Sequence, residues 1–385
     1  MARIVHLANF VGPRSGGLRT MLVNLAAGYR SAGHDMHLVI PEFPGGWDHH
    51  VDAHVHSLPS VALPRSGGYR IVRSRHHVHD LLDSLQPQII ELSDRLTLVS
   101  GARWGKAAGV PVTFFAHERI DGVITHHVAP LPARLIADRM NRALAAVTDS
   151  VVTTTRFAAR EFTRIGVPTQ HIPLGVDALS FVPRTQTDSD PSDLRLVMCS
   201  RLSREKSPET AISLLREARA QGRSWSLMII GDGPLRGTLD RQARGLPVTF
   251  AGFVRDREHL ASLLRNADAC VAPGPIETFG LAALEALACG TPVVCHAASA
   301  IPEVIRDAGV SVDGDARQWV RAVEQVTGPR AAEFRRAARS RALELPWSGV
   351  VGQLLAHHRL TNSREPSDVG RDSQPLSLPP LTTAA

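Results

Sequence analysis

Two acids stand out in "PGPIETFGLAALEALACGTPVV", residues 273–294. Glu277 and Glu285 have seven residues between them, in a stretch that is otherwise small and apolar and has no basic residue. "ACVAP" reads as a buried strand and "GPIE" as the turn that follows. A helix is expected from Thr278 or Phe279, stopped by Gly290 and by Pro292 beyond it. On that expectation the free N–H groups of Thr278, Phe279 and Gly280 face the end of a sheet and suit a phosphate. Glu277 then stands beside whatever that phosphate carries. Glu285 lies two turns along, among Leu, Ala and Cys. A buried carboxylate there needs a partner, because an unpaired buried charge is strongly destabilising. The vicinal hydroxyls of a ribose would serve, and so would a nearby arginine. Taken together, the two acids favour a nucleotide sugar.

Candidate cations lie in "CSRLSREKSPETAISLL", residues 199–215. Arg201 and Lys206 share one strand-to-helix turn, where a guanidinium fork and a compact ammonium can clamp a diphosphate, although on this segment alone a solvated basic turn is the simpler reading. Lysine is rare in this chain: of 43 basic residues only Lys106 and Lys206 are lysines, and Lys106 reads as incidental. Two glycine-rich turns add to the set. "VGPRSGGLRT" follows the first strand, and its Gly16 and Gly17 would let a phosphate or sugar approach the backbone at a helix start. "GDGPLRG" places Gly231 and Gly233 after a strand, but the acid expected of a dinucleotide fold about 20 residues on is missing. His117 ends an inferred strand in "TFFAHERID" and would face the same crevice. The pairs at 49–50, 76–77, 126–127 and 357–358 lack metal-ligand spacing and read as surface histidines. Fourteen of the 18 histidines precede residue 172, a skew the sequence does not account for.

These residues need a scaffold. At 385 residues the chain exceeds one ordinary core, and two domains are expected. An apolar fraction of 43% with 5% aromatics suits a soluble α/β protein. No apolar run reaches the ~18–20 residues that span a bilayer, and the N-terminus lacks the pattern of a signal peptide. The four cysteines form no C-x-x-C and read as buried thiols in a reducing cytosol. A net charge of +6 suits an anionic partner. Few aromatics and no recognisable module argue against nucleic acid.

The first half alternates strand and helix. Strands are expected at 3–10, 36–41, 88–92, 110–117 and 150–155, with an irregular segment at 42–70 holding at most one short strand. A second series of strands is expected at 194–201, 225–233, 246–253, 267–274, 291–297 and 309–314, followed by helices to about residue 360. Strand–helix alternation implies parallel sheets with both faces covered. The fold class is therefore α/β, with two Rossmann-like domains at 1–178 and 179–345 facing a cleft. A helix at 346–360 is expected to return toward the first domain, and the tail 361–385 has the composition of disorder. The linker includes residues 177–193.

With these segments in order, the chain resembles the retaining glycosyltransferases of the two-Rossmann-domain (GT-B) type over about residues 3–345. Glu277 and Glu285 match the E-x7-E motif of that family, and "SRLSREK", "IIGDGPLRGTL", "VTFAGFV" and "IPLGVD" match in order and spacing. "ANFVGPRSGGLRT", "SGGYR", "ELSDRLTL" and "AHERID" resemble an actinobacterial branch that moves mannose from GDP-mannose to phosphatidylinositol mannosides through an α-1,6 linkage. The resemblance implies that Arg201 and Lys206 hold the donor diphosphate. It implies that Glu277 and the amides of Thr278, Phe279 and Gly280 bind sugar and phosphate, and that Glu285 binds the ribose. Backbone at Gly252, Phe253 and Val254 would read the base. Gly16 and Gly17 would approach the diphosphate across the cleft, and His117 would sit near the transferred sugar. It implies no cofactor, no essential metal and no enzyme nucleophile. Ser200 stands where the family often has Gly, and Leu174 replaces a frequent Asn.

The implied partners are a nucleotide-sugar donor and a glycolipid acceptor. The basic stretch at 67–82 offers contact with an anionic membrane surface, although a solvated helix explains it more simply. The implied location is cytoplasmic, peripheral at the inner face of the plasma membrane. Three other readings stay open from sequence: a transferase using a UDP-sugar on another acceptor, a nicotinamide-dependent oxidoreductase built on "GDGPLRG", and a non-catalytic nucleotide-sugar sensor.

Overall fold

The structure is a computed structural model that describes residues 1–11, 16–44, 51–63, 68–127, 132–184 and 193–360. The tail 361–385, part of the 177–193 linker and the His49–His50 pair lie outside the described residues, and so do the side chains of His126 and His127.

Apolar strand runs build two sheets. The first holds β1 (Arg3–Leu7), β2 (Asp35–Pro41), β3 (His54–Leu58), β6 (Ile89–Leu92), β7 (Val112–Ala116), β8 (Ser150–Thr153) and β9 (Gln170–His171). Their order is β3-β2-β1-β6-β7-β8-β9, parallel throughout. The second holds β10 (Arg195–Cys199), β11 (Ser226–Ile230), β12 (Val248–Gly252), β13 (Ala269–Ala272), β14 (Val293–His296) and β15 (Gly309–Val312). It is parallel too, in the order β12-β11-β10-β13-β14-β15. The 42–70 segment carries more structure than its composition suggests. It contains β3, and β4 (Ser60–Ala62) pairs antiparallel with β5 (Arg70–Val72).

Helices cover the sheets. In the first half they are α1 (Gly17–Ser31), α2 (Arg75–Leu85), α3 (Val99–Ala108), α4 (Ile120–His127), α5 (Ala133–Ala145) and α6 (Arg156–Thr163). In the second they are α7 (Pro208–Ala220), α8 (Arg236–Gln242), α9 (Arg257–Arg265), α10 (Leu281–Ala288), α11 (Ile301–Ile305), α12 (Ala316–Thr327), α13 (Ala331–Leu343) and α14 (Trp347–His357). Four of their starts are capped by side chains. Ser74, Thr155 and Asp256 accept N–H bonds at the starts of α2, α6 and α9, and Asp315 closes a capping box with Gln318 on α12.

In each sheet the strand order reverses beside the first strand, between β1 and β6 and between β10 and β13. Ligands of open parallel sheets bind beyond the carboxyl ends of the strands at such a point. The loops leaving those four strands carry Gly16, Ser93, Arg201, Lys206 and Glu277.

The two halves are joined by a shared apolar core that includes Leu22, Leu25 and Tyr29 of α1, Leu284 of α10 and Val351 and Leu354 of α14. α14 lies against α1, where a Cβ on Gly28 would fall 2.3 Å from Val351. Only a residue without that atom lets the helices approach this closely. The start of the linker is fixed rather than loose. Phe181 is fully buried, its carbonyl accepts from Arg339 at 2.7 Å, and the Arg257 guanidinium sits 4.6 Å over its ring.

Candidate active site

Lys206 and Glu277 meet. A short 3₁₀ turn, Arg204–Lys206, carries the ammonium to 2.7 Å from Glu277 Oε1, with each side chain about one-fifth exposed. Gly274 permits this, since a Cβ there would lie 3.1 Å from Lys206 Cα. Arg201 reaches across the crevice. Its Nη1 donates to the Tyr69 hydroxyl at 2.8 Å, Nη2 to Glu205 at 2.6 Å and Nε to Ser203 at 3.2 Å. Tyr69 was invisible to spacing, because no periodic pattern links the β4–β5 hairpin to residue 201, whereas Glu205 stands only four residues along the same turn.

Gly231 and Gly233 serve the backbone. A Cβ on Gly231 would sit 2.0 Å from the Ser200 carbonyl oxygen, and one on Gly233 would sit 2.5 Å from that of Leu202. These glycines let the loop after β11 lie under the loop that carries Arg201. Gly252 ends β12 at φ +69°, with Phe253 and Val254 partly buried beyond it.

The helix expected from Thr278 or Phe279 begins instead at Leu281, with Gly280 at φ +84° before it. A Cβ on Gly280 would press to 2.6 Å from Ile301. The short turn before α10 is spent on joining the lobes. Thr278 Oγ1 donates to the His117 carbonyl, and the Thr278 carbonyl accepts from Thr155 at 2.8 Å and Thr154 at 3.4 Å. Phe279 is buried. The starts of α1 and α10 converge, as a Cβ on Gly17 would lie 3.9 Å from Leu281 Cβ. Both N-termini carry the partial positive charge that favours an anion. Glu303 adds a further bridge, accepting from the N–H groups of Arg156 and Phe157 at the start of α6.

Glu285 is buried, and of the two partners weighed for it the structure supplies the arginine. Arg257 Nη1 donates to Oε1 at 2.9 Å. The second oxygen makes no hydrogen bond among the described residues. Burial raises the Glu285 pKa, against the Arg257 charge.

His117 anchors a chain that sequence reasoning missed. Its Nε2 is 2.7 Å from Ser93 Oγ, which is 2.8 Å from His6 Nε2, and His6 Nδ1 is 2.7 Å from Glu91 Oε2. Glu91 also accepts from the Tyr29 hydroxyl at 2.5 Å and lies 2.8 Å from His358 Nε2. His6, Tyr29 and Glu91 are fully buried, and the His358 side chain is 2% exposed. The pair 357–358 is therefore not a surface pair. His358 ties the end of α14 to the first sheet, and His357 Nε2 is 2.8 Å from Ser150 Oγ. The pair 76–77 is exposed.

Burial alone would raise the Glu91 pKa, but the bonds from His358 and His6 hold it well below the usual carboxylate range. Burial pushes His117 down to about 3, with His6 and Arg95 adding to it, so its ring is neutral at pH 7. Ser93 Oγ stands between the two rings, so its one O–H donates to one of them and its lone pair accepts from the other. His117 Nδ1 lies outside this chain. The loop after His117 is fixed as well. Arg95 donates to the Glu118 carbonyl at 2.8 Å, and Glu161 accepts the Asp121 N–H at 2.7 Å.

The cysteines take no part. All four are free, and burial pushes Cys270, Cys289 and Cys295 up to about 12 and Cys199 higher.

Two facing parallel α/β lobes, with cations, a glutamate and helix starts at their switch points, define a nucleotide-sugar transferase of the GT-B class. The model for "Glycosyl transferase 4-like domain" matches residues 16–175, and that for "Glycosyl transferases group 1" matches 193–328. The chain belongs to the group 1 glycosyltransferase family and is a glycosyltransferase. It is 41% identical, over 92% of its length and 95% of the relative's, to the GDP-mannose-dependent alpha-(1-6)-phosphatidylinositol dimannoside mannosyltransferase of Mycobacterium tuberculosis (strain ATCC 25177 / H37Ra). It is 34% identical to the D-inositol 3-phosphate glycosyltransferase of Mycobacterium leprae (strain Br4923), over 49% of this chain and 42% of that one. Among solved structures, sucrose-phosphate synthase from Thermosynechococcus elongatus shares the fold at a TM-score of 0.75 and 21% identity, covering 93% of this chain and 98% of that one. Anabaena HepE in complex with UDP-glucose shares it at 0.72 and 18%, covering 93% and 99%. Among the described residues no helix is long and apolar enough to cross a membrane.

Proposed function

We propose that the protein transfers mannose from GDP-mannose to a mannosylated phosphatidylinositol, through an α-1,6 linkage and with retention. The observation that carries this reading is the 41% identity, along nearly the whole chain, to an enzyme named for that reaction. The site geometry is consistent with it. In the proposal, the donor diphosphate lies at the starts of α1 and α10, near Gly16, Gly17 and the turn Thr278–Gly280, with Arg201 and Lys206 taking its charge. Glu277 turns from Lys206 to the hydroxyls of the sugar. The free oxygen of Glu285 takes the ribose, and the backbone at Gly252, Phe253 and Val254 reads the base. Gly231 and Gly233 hold the Arg201 loop in place. The acceptor hydroxyl attacks C1 on the face the phosphate leaves, and its proton passes to the departing phosphate oxygen. His117 orients the sugar through Nδ1. The chain's own residues supply positioning and charge, and no enzyme nucleophile, cofactor or catalytic metal enters the scheme.

Purified protein with GDP-mannose and radiolabelled phosphatidylinositol dimannoside should yield a longer glycolipid. Absence of transfer to every mannosylated acceptor would end the lipid reading. Protection from thermal unfolding by UDP rather than GDP would replace the donor with a UDP-sugar. Contact with the inner membrane face belongs to the same proposal, supported by the exposed Arg73 and Arg75 and the exposed pair His76–His77. Sedimentation with anionic vesicles, against neutral ones, tests that part.

A further inference from the structure

The reaction scheme uses one of the many histidines in the first half directly. Three others gather at the open edge of the first sheet. β2 and β3 run parallel with His37 opposite His54 and Val39 opposite His56. Side chains alternate along a strand, so Asp35 and His37 of β2 share one face with His54 and His56 of β3. His37 Nε2 is 3.1 Å from Asp35 Oδ2, and His54 Nε2 is 3.2 Å from Asp35 Oδ1. One ligand atom from each of the three residues lies within 4.8 Å of the others. Nitrogen and oxygen ligands about 2.0–2.2 Å from a tetrahedral zinc stand roughly 3.3–3.5 Å apart. The two Asp35 spacings are close to that, and rotation of the exposed His54 ring toward His37 brings in the third. Behind His37, Nδ1 is 2.9 Å from His56 Nε2. An acceptor at Nδ1 fixes the ring and leaves the Nε2 lone pair for a metal, as is usual for metal-bound imidazoles.

We propose that Asp35, His37 and His54 form a site for one borderline transition-metal ion, such as Zn²⁺, Ni²⁺ or Co²⁺, with His56 orienting His37. Two imidazoles and a single carboxylate suit these ions better than Mg²⁺ or Ca²⁺, which prefer oxygen. Arg3 Nε, 3.8 Å from Asp35 Oδ2, offsets part of the carboxylate's charge and weakens the site further for hard ions. The same geometry also fits two imidazole N–H groups donating to Asp35, and metal binding is what separates the two descriptions. The cluster lies at the amino ends of β2 and β3, whereas the transfer site lies at the carboxyl ends, so the ion does not enter the reaction. Its effect is mechanical. β3 is an edge strand paired with β2 alone in its sheet, and a metal bridging the two strands pins that edge. β3 leads into the β4–β5 hairpin, beside which Tyr69 meets Arg201.

The test titrates Co²⁺ and Zn²⁺ into the full-length, tag-free chain. Visible absorption and calorimetry should give one saturable equivalent, with a rise of several degrees in Tm and no competition from Mg²⁺. His54→Ala removes a largely exposed side chain and should keep the far-ultraviolet spectrum while losing at least tenfold in affinity. His56→Gln should weaken binding less and keep the stoichiometry. The control variant His76→Ala/His77→Ala, on the exposed face of α2, should bind as the parent does. Absence of a saturable equivalent would overturn the proposal. So would unchanged affinity in His54→Ala, or loss of binding in the 76/77 control.

Discussion

The two sheets share a connectivity and differ in what they bury. In the second, the buried strand positions are apolar, from Leu196, Val197 and Met198 to Val293, Val294 and Cys295. Its charged site groups sit in the loops at the strand ends, apart from Glu285 on α10. The first sheet carries polar groups inside, with His6 on β1, Glu91 on β6 and Ser93 just after it, all bonded to one another. The contrast shows two ways to hold a reactive side chain. The second lobe uses short loops whose backbone is shaped by glycines, so Lys206 meets Glu277 over the Gly274 contact. The first holds His117 through a buried chain whose far end is on α14. Partly satisfied buried networks are strongly destabilising, while fully satisfied ones specify a single arrangement. The first lobe is therefore expected to be the more sensitive to loss of one partner.

The largest effect expected is on stability in that lobe. Glu91→Ala leaves the donors of Tyr29, His6 and His358 without their acceptor and should cost about 3–5 kcal/mol in denaturant unfolding. A cost under ~1 kcal/mol would show that the chain does not act as a unit. Next come the loop residues of the second lobe. Lys206→Ala and Glu277→Ala should each lower mannose transfer by about 10²–10³-fold while leaving the unfolding midpoint almost unchanged. Near-parental turnover in both would remove their assigned roles.

Glu285 sharpens the comparison, because among the described residues it is the second lobe's one buried carboxylate on a helix. Glu285→Gln should raise the donor KM about tenfold if an oxygen grips the ribose, a change of ~1.4 kcal/mol. If the carboxylate serves only Arg257, a double-mutant cycle will show stability coupling with no change in KM. The smallest effect is the pH dependence of His117. Its folded pKa, about 3, lies below the unfolded value near 6.5, so the unfolded chain takes up the proton first as pH falls. Its contribution to stability is full above pH 6.5 and declines from there toward pH 3. Tm measured between pH 7 and pH 4 should fall less steeply in His117→Gln than in the parent. Parallel curves would mean that the ring is not held neutral by its surroundings.

Much of the framework was legible in the chain. Apolar runs of period two, helical runs between them and punctuating glycines placed the eleven expected strands, because those signals act over a few residues. The irregular segment 42–70 misled because β3, β4 and β5 are short, three to five residues each, and too brief for an apolar period to show. The start of α10 was misplaced by a few residues. Gly280 needs φ +84°, and its contact with Ile301 comes from a helix about 20 residues further on.

The sequence by itself determined two parallel α/β units, the E-x7-E segment and the basic turn before α7, since each is written in local spacing. Only the tertiary structure decided the partners. Arg257 reaches Glu285 from 28 residues away, and His358 reaches Glu91 from 267. A buried charge requires a partner of opposite character, but nothing in a linear pattern says which one the fold will bring. The packing of α9 beside α10 within the second lobe made the first choice, and the return of α14 to the first sheet made the second.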